Sequence, residues 1–264
     1  MSYELGLIGA GNMAEAIARA VIDKGVVPPQ GIVASDVSEA RLDVFRAMGV
    51  ATTQDNAAVV SRSAQVMLAV KPQQFASVAS SLAGYDGVVI SIMAGLGTAK
   101  IEAAAGRSLR LVRVMPNTPL MVGLGMSGIA VGTHARPGDE ALALRLFGAA
   151  GEAIVVDEPL IDAVTAVSGS GPAYLFYLAE AMQRAAVDLG LGDHARLLVQ
   201  QTLAGAAALL TQSPDTAEVL RRKVTSPGGT TEAAIRHLES HGVGTAIAQA
   251  LTAARDRSIE LGKG

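Results

Sequence analysis

The chain has 264 residues and a net charge of −3 from 21 basic and 24 acidic side chains, so it offers no broad electrostatic footprint for nucleic acid or an anionic membrane surface. It has no cysteine, which excludes disulfides, thiolate catalysis and cysteine-ligated zinc and removes any tie to an oxidising compartment. Hydrophobic residues make up 50% of it and aromatics only 3%, without an apolar run near the ~18 residues of a membrane span. The expectation is a cytoplasmic protein with a small-molecule partner, neither nucleic acid nor membrane. The start, Met1 to Leu5, lacks the basic and apolar segments of a signal peptide.

From Glu4 to about Val156, short aliphatic runs alternate with helix-period segments, the pattern of a parallel α/β sheet. Strands are predicted near Glu4–Ile8, Gly31–Ser35, Gln65–Val70, Gly87–Ile92, Arg110–Met115, Gly128–Val131 and Ala153–Val156. After Asp157 the strand signals stop. Leu175, Leu178, Met182, Ala186 and Leu189 recur at helical spacing, with Pro172 suited to a first turn, Ser170 to its cap, and Gly190 and Gly192 to its end. A second helix is expected over Ala195–Thr211. The reading is two domains: residues 1–158 as an α/β domain built on a parallel sheet and residues 159–264 as an all-helical one. Aliphatic surface concentrated in those helices suggests burial against another subunit.

Gly9-Ala10-Gly11-Asn12-Met13-Ala14 follows the first strand and opens a helix, matching G-x-G-x-x-G/A in the context that gives this motif its meaning. Gly9 would make the tight turn. Gly11 would let a pyrophosphate approach bare backbone, Ala14 would allow close helix–strand packing, and the N–H groups at the helix start, around Asn12 and Met13, would face the phosphates. At the end of the second strand the signals conflict. Asp36 suits the ribose 2′-hydroxyl of NAD or a cap on the next helix, whereas Ser35, Ser38 and Arg41 suit the 2′-phosphate of NADP. NADPH and NADH both stay open at this point.

A second glycine-rich segment, Ser226-Pro227-Gly228-Gly229-Thr230-Thr231-Glu232, precedes a helical stretch, Ala233–Leu238. Backbone N–H groups and hydroxyls at a helix N-terminus suit a carboxylate. The same residues could also serve as a plain turn and cap.

Val224-Thr225-Ser226-Pro227-Gly228-Gly229-Thr230-Thr231 resembles the signature of the pyrroline-5-carboxylate reductase family. Ala69-Val70-Lys71-Pro72, Met115-Pro116-Asn117-Thr118-Pro119 and Ser168-Gly169-Ser170-Gly171-Pro172-Ala173-Tyr174 stand in the family's order, so the resemblance covers essentially the whole chain. It implies a Rossmann domain followed by a helical domain that pairs with a second subunit, giving a homodimer and in many members a larger ring of dimers. It also implies the reaction: NAD(P)H-dependent hydride transfer to the C=N carbon of 1-pyrroline-5-carboxylate, yielding L-proline.

On matching positions, the resemblance assigns Ser226, Gly228, Gly229 and Thr230 to the substrate carboxylate and Thr231 to the ring nitrogen as the catalytic residue. Thr165 and Ser170 belong to the substrate side, or serve as caps and core hydroxyls. Asn56, Val70, Lys71, Pro72, Ala94, Gly95 and Asn117 line the cofactor groove. A protonated imine is already electrophilic, so the chemistry needs orientation more than a strong base. Thr231 either donates a proton or orients the ring.

Three other readings compete. A β-hydroxyacid dehydrogenase would carry a catalytic lysine at the start of the helical domain, and none stands between Ser168 and Tyr174. A dinucleotide sensor would not need the Ser226–Thr231 loop. His237 and His241, four apart, lack a third metal ligand and the H-E-x-x-H pattern, so no metal is expected.

Overall fold

A computed structural model describes residues 2–263. Its strands are β1 (Tyr3–Ile8), β2 (Ile32–Ser35), β3 (Ala51–Thr53), β4 (Ser63–Leu68), β5 (Val88–Ser91), β6 (Arg110–Met115), β7 (Gly125–Val131) and β8 (Gly151–Val155). The helices beside the sheet are α1 (Asn12–Asp23), α2 (Glu39–Ala47), α3 (Asn56–Arg62), α4 (Phe75–Val78), α5 (Thr98–Ala105) and α6 (Ala141–Gly148). After β8 come α7 (Ile161–Val164), a π-helical turn (Thr165–Gly169), α8 (Gly171–Asp188), α9 (Ala195–Gln212), α10 (Ala217–Lys223), α11 (Thr230–Ser240) and α12 (Val243–Lys263).

The strands form one sheet in the order β3-β2-β1-β4-β5-β6-β7-β8, parallel except where β6 meets β7. Both faces are covered, and the sequence divides its side chains accordingly. Ile32 and Ala34 of β2, Met67 of β4, Val88 and Ile90 of β5, and Val112 and Val114 of β6 point to one core; Val33, Val66, Leu68, Val89 and Leu111 point to the other. That alternation is the period of two of a pleated strand, with apolar residues on both sides. Helix α1 lays Ala14, Ile17, Ala18 and Val21 against the first core at spacings of three and four.

The seven expected strands are present within a few residues, and β3 is an addition. It has three half-buried residues, Ala51-Thr52-Thr53, at the sheet edge, too short for alternation to register. Ser170 is not a helix cap. The chain reaches α8 through the π-helical turn, with the Ser170 N–H already donating to Thr165 O at 2.8 Å, so no free helix start exists there to be capped.

The chain divides into two compact units. One comprises the residues up to Ser170 together with those from Ala254 onward; the other is Gly171–Ala253. Ile161 and Ala166 are buried in the first unit, and α7 packs on β7. The second unit has almost no interior. Among its described residues only Ala186, Ala195 and Val199 are buried, all of them small.

One ion pair fixes the loop before α6. Asp139, almost fully buried, accepts from both Arg110 nitrogens Nε and Nη2 and from the Arg136 N–H at 2.8 Å. Burial alone would push its carboxyl up, but Arg110 and the Arg136 N–H hold it below the usual carboxylate range. The depressed value in the folded state means a stabilising contribution that is complete above the unfolded value and lost as pH falls through the folded one. Asp139→Ala is expected to lower unfolding free energy by about 2–3 kcal/mol in a urea titration, with the difference from wild type shrinking in acid. Equal midpoints at neutral pH would contradict this.

Candidate active site

The loops that matter leave the carboxyl ends of the parallel strands, where open α/β sheets place their ligands. Gly9 ends β1 with φ +99, and its N–H donates to Ser35 O at 2.8 Å. A Cβ there would stand 2.8 Å from the Ala69 carbonyl carbon and oxygen, so both the backbone angle and the close approach of the chain after β4 demand glycine. Gly11 is different. Its φ is −70, which any residue adopts, and an added Cβ would meet nothing within 4 Å. Neither conformation nor internal packing explains glycine here. The open space lies over the start of α1, where no side chain caps the helix and the N–H groups of Asn12, Met13 and Ala14 have no partner among the described residues. Asn12 is exposed, Met13 half-buried against the core, and Ala14 buried. Such a bare N-terminus with room above it fits a pyrophosphate.

At the end of β2 the candidate cofactor groups are already engaged. Asp36 accepts from the Ala10 N–H through Oδ2 at 2.8 Å and from the Ser38 N–H through Oδ1 at 2.9 Å, so it braces the glycine turn. Ser38, not Asp36, occupies the cap position of α2. Arg41 donates to Ala10 O at 2.6 Å and to Glu15 Oε2 at 2.8 Å, and its guanidinium holds the Glu15 carboxyl below its ordinary range. Ser35 is fully buried and donates to Asn56 Oδ1 at 2.7 Å. Its hydroxyl, offered above as a 2′-phosphate contact, therefore supports the turn from beneath; the one-residue inward register of β2 decides this. Asn56, the first residue of α3, shares that contact.

Val70, Lys71 and Pro72 follow β4, with Lys71 exposed and in no ion pair among the described residues. Ala94 and Gly95 follow β5, Ala94 exposed and Gly95 at φ +75. Asn117 follows β6, but its side chain is buried: Nδ2 donates to Ser168 O at 3.0 Å and Oδ1 accepts from the Met126 N–H at 2.9 Å. Its amide ties the start of β7 to the π-helical turn. In that turn the Thr165 hydroxyl donates to Ile161 O at 2.8 Å, one turn back in its own helix, while Ser170 is half-buried. An extra residue in a helical turn is a device often found at functional sites.

In the second unit, the Gly229 N–H donates to Ser226 O at 3.0 Å across a turn with Pro227 and Gly228 at its centre, Gly228 at φ +72. These are the residues a type II turn requires. The Gly228 N–H donates to Glu232 Oε2 at 2.7 Å. Both glycine N–H groups are therefore engaged within the loop, and the donors left for an anion are those of Thr230, Thr231 and Glu232, the first three of α11. Gly229 caps α11 without a side-chain bond, so neither threonine serves as its cap. Thr231 is half-buried, and its hydroxyl makes no hydrogen bond among the described residues. Glu232 escaped the reading of the sequence, although an acidic residue three positions after a helix cap is a known sign of a reciprocal cap. His237 and His241 stack with ring centroids 4.2 Å apart, and His241 Nδ1 lies 2.8 Å from His237 O.

Comparison with known proteins agrees with this arrangement. Residues 158–261 match the family model for pyrroline-5-carboxylate reductase dimerisation, and residues 4–95 match that of the coenzyme F420-dependent NADP oxidoreductases. The pyrroline-5-carboxylate reductase of Methanosarcina acetivorans is 43% identical, over 99% of each chain, and that of Vibrio alginolyticus 41% identical, over 98% of each. A solved pyrroline-5-carboxylate reductase from Coxiella burnetii superposes over 100% of both chains with a TM-score of 0.93 at 40% identity. The Plasmodium falciparum pyrroline carboxylate reductase, solved with NADP bound, superposes over 98% of both with a TM-score of 0.86 at 27% identity. With a glycine turn between strand and helix near one end of its sequence, a second glycine-rich loop at a helix start toward the other, and this similarity along its whole length, the chain belongs to the pyrroline-5-carboxylate reductase family.

Proposed function

We propose that the protein reduces the C=N bond of 1-pyrroline-5-carboxylate to give L-proline, the last step of proline biosynthesis, with NADPH or NADH as reductant. The observation that carries this is Gly11: a glycine with ordinary backbone angles, facing space that no described residue fills, at the uncapped N-terminus of α1. The dinucleotide supplies a hydride from nicotinamide C4. The turn Gly9–Ala14 holds its pyrophosphate, Asp36 and Arg41 brace that turn, and Val70, Lys71, Pro72, Ala94 and Gly95 border the rest of the cofactor. The side chains of Ser35, Asn56 and Asn117 hold these loops in place.

The substrate carboxylate is held by the N–H groups of Thr230, Thr231 and Glu232, with the hydroxyls of Ser226 and Thr230 beside them. The Thr231 hydroxyl hydrogen-bonds the ring nitrogen, and Thr165 and Ser170 contribute through the shape of the π-helical turn. No strong base is required, because the protonated imine is already electrophilic and the main demand is to bring donor and acceptor carbons to about 3–3.5 Å. The helical region is a dimerisation domain. A homodimer, closed further into a ring of dimers and residing in the cytoplasm, is the assembly this reading assigns; no described helix is long and apolar enough to cross a membrane.

The test is loss of nicotinamide absorbance from NADPH and, separately, NADH with L-1-pyrroline-5-carboxylate, with proline identified as product. Turnover is expected, and the ratio of the two rates assigns the preferred reductant. Binding of either cofactor without turnover would overturn the substrate assignment. Thr231→Ala is expected to lower kcat/KM by about tenfold or more while leaving the dissociation constant for NADPH unchanged. Normal kinetics in that variant would make the hydroxyl a structural one.

A further inference from the structure

The carboxyl-terminal part of α12 belongs to the sheet-containing unit rather than to the helical one. There Ser258 is buried, and its Oγ donates to Asp162 Oδ1 of α7 at 2.6 Å. One turn further on, Leu261 lies against Gly95: a Cβ placed on that glycine would be 3.5 Å from Leu261 Cβ and 3.9 Å from its carbonyl carbon. Gly262 comes equally close from the same side, a Cβ there standing 3.6 Å from Gly95 O. Gly95 itself, at φ +75, is the left-handed residue that turns the chain out of β5 toward α5.

On the sheet side the turn is held by Met93, buried in the second core, and by Leu96, packed against that core. Ile92 is tied to the sheet through its N–H to Leu68 O at 3.1 Å, and Thr98 through Glu158, at 2.7 Å from its N–H. Between these two anchors Ala94 is exposed and Gly95 carries no side chain to pack. The last turn of α12 covers that gap.

We infer that Ser258 and Asp162 are positioning residues for the cofactor: their hydrogen bond locks the end of α12 so that Leu261 and Gly262 brace the Gly95 turn in its dinucleotide-receiving shape. This rests on the reading of that turn as a cofactor loop. It extends that reading by assigning the task of ordering the loop to the last helix of the described residues. A turn fixed in advance binds without the conformational cost of being ordered by its ligand.

The experiment measures NADPH binding without substrate, by nicotinamide fluorescence, in the full chain carrying Ser258→Ala, Asp162→Ala or Asp162→Asn, each with its melting temperature. Ser258→Ala and Asp162→Ala are expected to raise the dissociation constant about fivefold, the value of one lost hydrogen bond. Asp162→Asn keeps an acceptor oxygen and is expected to stay within about twofold of wild type. Should Ser258→Ala fail to fold, the two Asp162 variants carry the same comparison. Unchanged affinity in both alanine variants, or equal loss in Asp162→Asn, would overturn the inference. Absence of NADPH and NADH binding by the wild-type protein would instead overturn the cofactor reading beneath it.

Discussion

Gly11→Asp is expected to weaken NADPH and NADH binding by at least about a hundredfold while the melting temperature holds or rises slightly. The two effects have opposite signs because the residue sits at the cap position of α1 without any structural need to be glycine. Its φ of −70 suits an L-residue, and beyond its own chain neighbours and helix no described residue lies within 4 Å of an added Cβ. Aspartate is a better helix cap than glycine by a few tenths of a kcal/mol, since its carboxylate accepts from the free N–H groups. Those are the groups proposed to receive the pyrophosphate. A fixed negative charge there both occupies the donors and repels the ligand, and a hundredfold loss corresponds to about 2.7 kcal/mol. Gly9→Ala makes the contrast. Its Cβ would stand 2.8 Å from the Ala69 backbone at φ +99, so the melting temperature itself should fall. Unchanged cofactor affinity in a well-folded Gly11→Asp protein would remove the dinucleotide assignment.

Phe176→Glu is the second large effect, expected to convert the dimer to monomer in sedimentation at micromolar concentrations and to cost much of the far-ultraviolet helical signal. Helix α8 exposes Leu175 at 57%, Phe176 at 69%, Tyr177 at 70% and Leu178 at 47%, four consecutive large side chains that point around the helix. A helix apolar on several sides is a buried helix. Helix α9 repeats the pattern with Leu197, Leu198, Leu209 and Leu210 exposed. A unit whose buried residues are only Ala186, Ala195 and Val199 has no core to stabilise it alone, so its folding and its association should be one event. Truncating a central aromatic contact in such an interface costs about 3–5 kcal/mol, and an added charge raises that further. A Phe176→Glu protein that stays dimeric with full helicity would place the interface elsewhere.

Much of the site was legible because its chemistry is local. The glycine turn needs a strand, a tight turn and a helix start within about a dozen residues, and Tyr3–Ala14 carries all three in order. The loop Ser226–Thr231 is local in the same sense, since turn and helix start share six residues. Illegible were the partners of each polar group. Asp36 looks from sequence like a ribose acceptor, yet both its oxygens accept backbone N–H groups; Asn117 looks like a groove residue, yet its amide joins β7 to the π-helical turn. Such choices depend on which segments the fold brings together, and a polar side chain brought beside an unpaired backbone group will bond it because leaving either buried and unpaired is costly.

The sequence by itself determined the alternation of strands and helices, the position of the two glycine-rich segments at helix starts, and the family resemblance. All of these rest on short-range backbone geometry and on patterns with periods of two and 3.6. Only the tertiary structure decided that Ser35 faces inward, that Glu232 closes the Ser226–Thr231 loop on itself, and that Ser258 reaches Asp162. It also decided that the helical unit is left without a core. The reason is physical: burial and hydrogen-bond partnership are properties of pairs of segments distant in the chain, and no single stretch of sequence carries them.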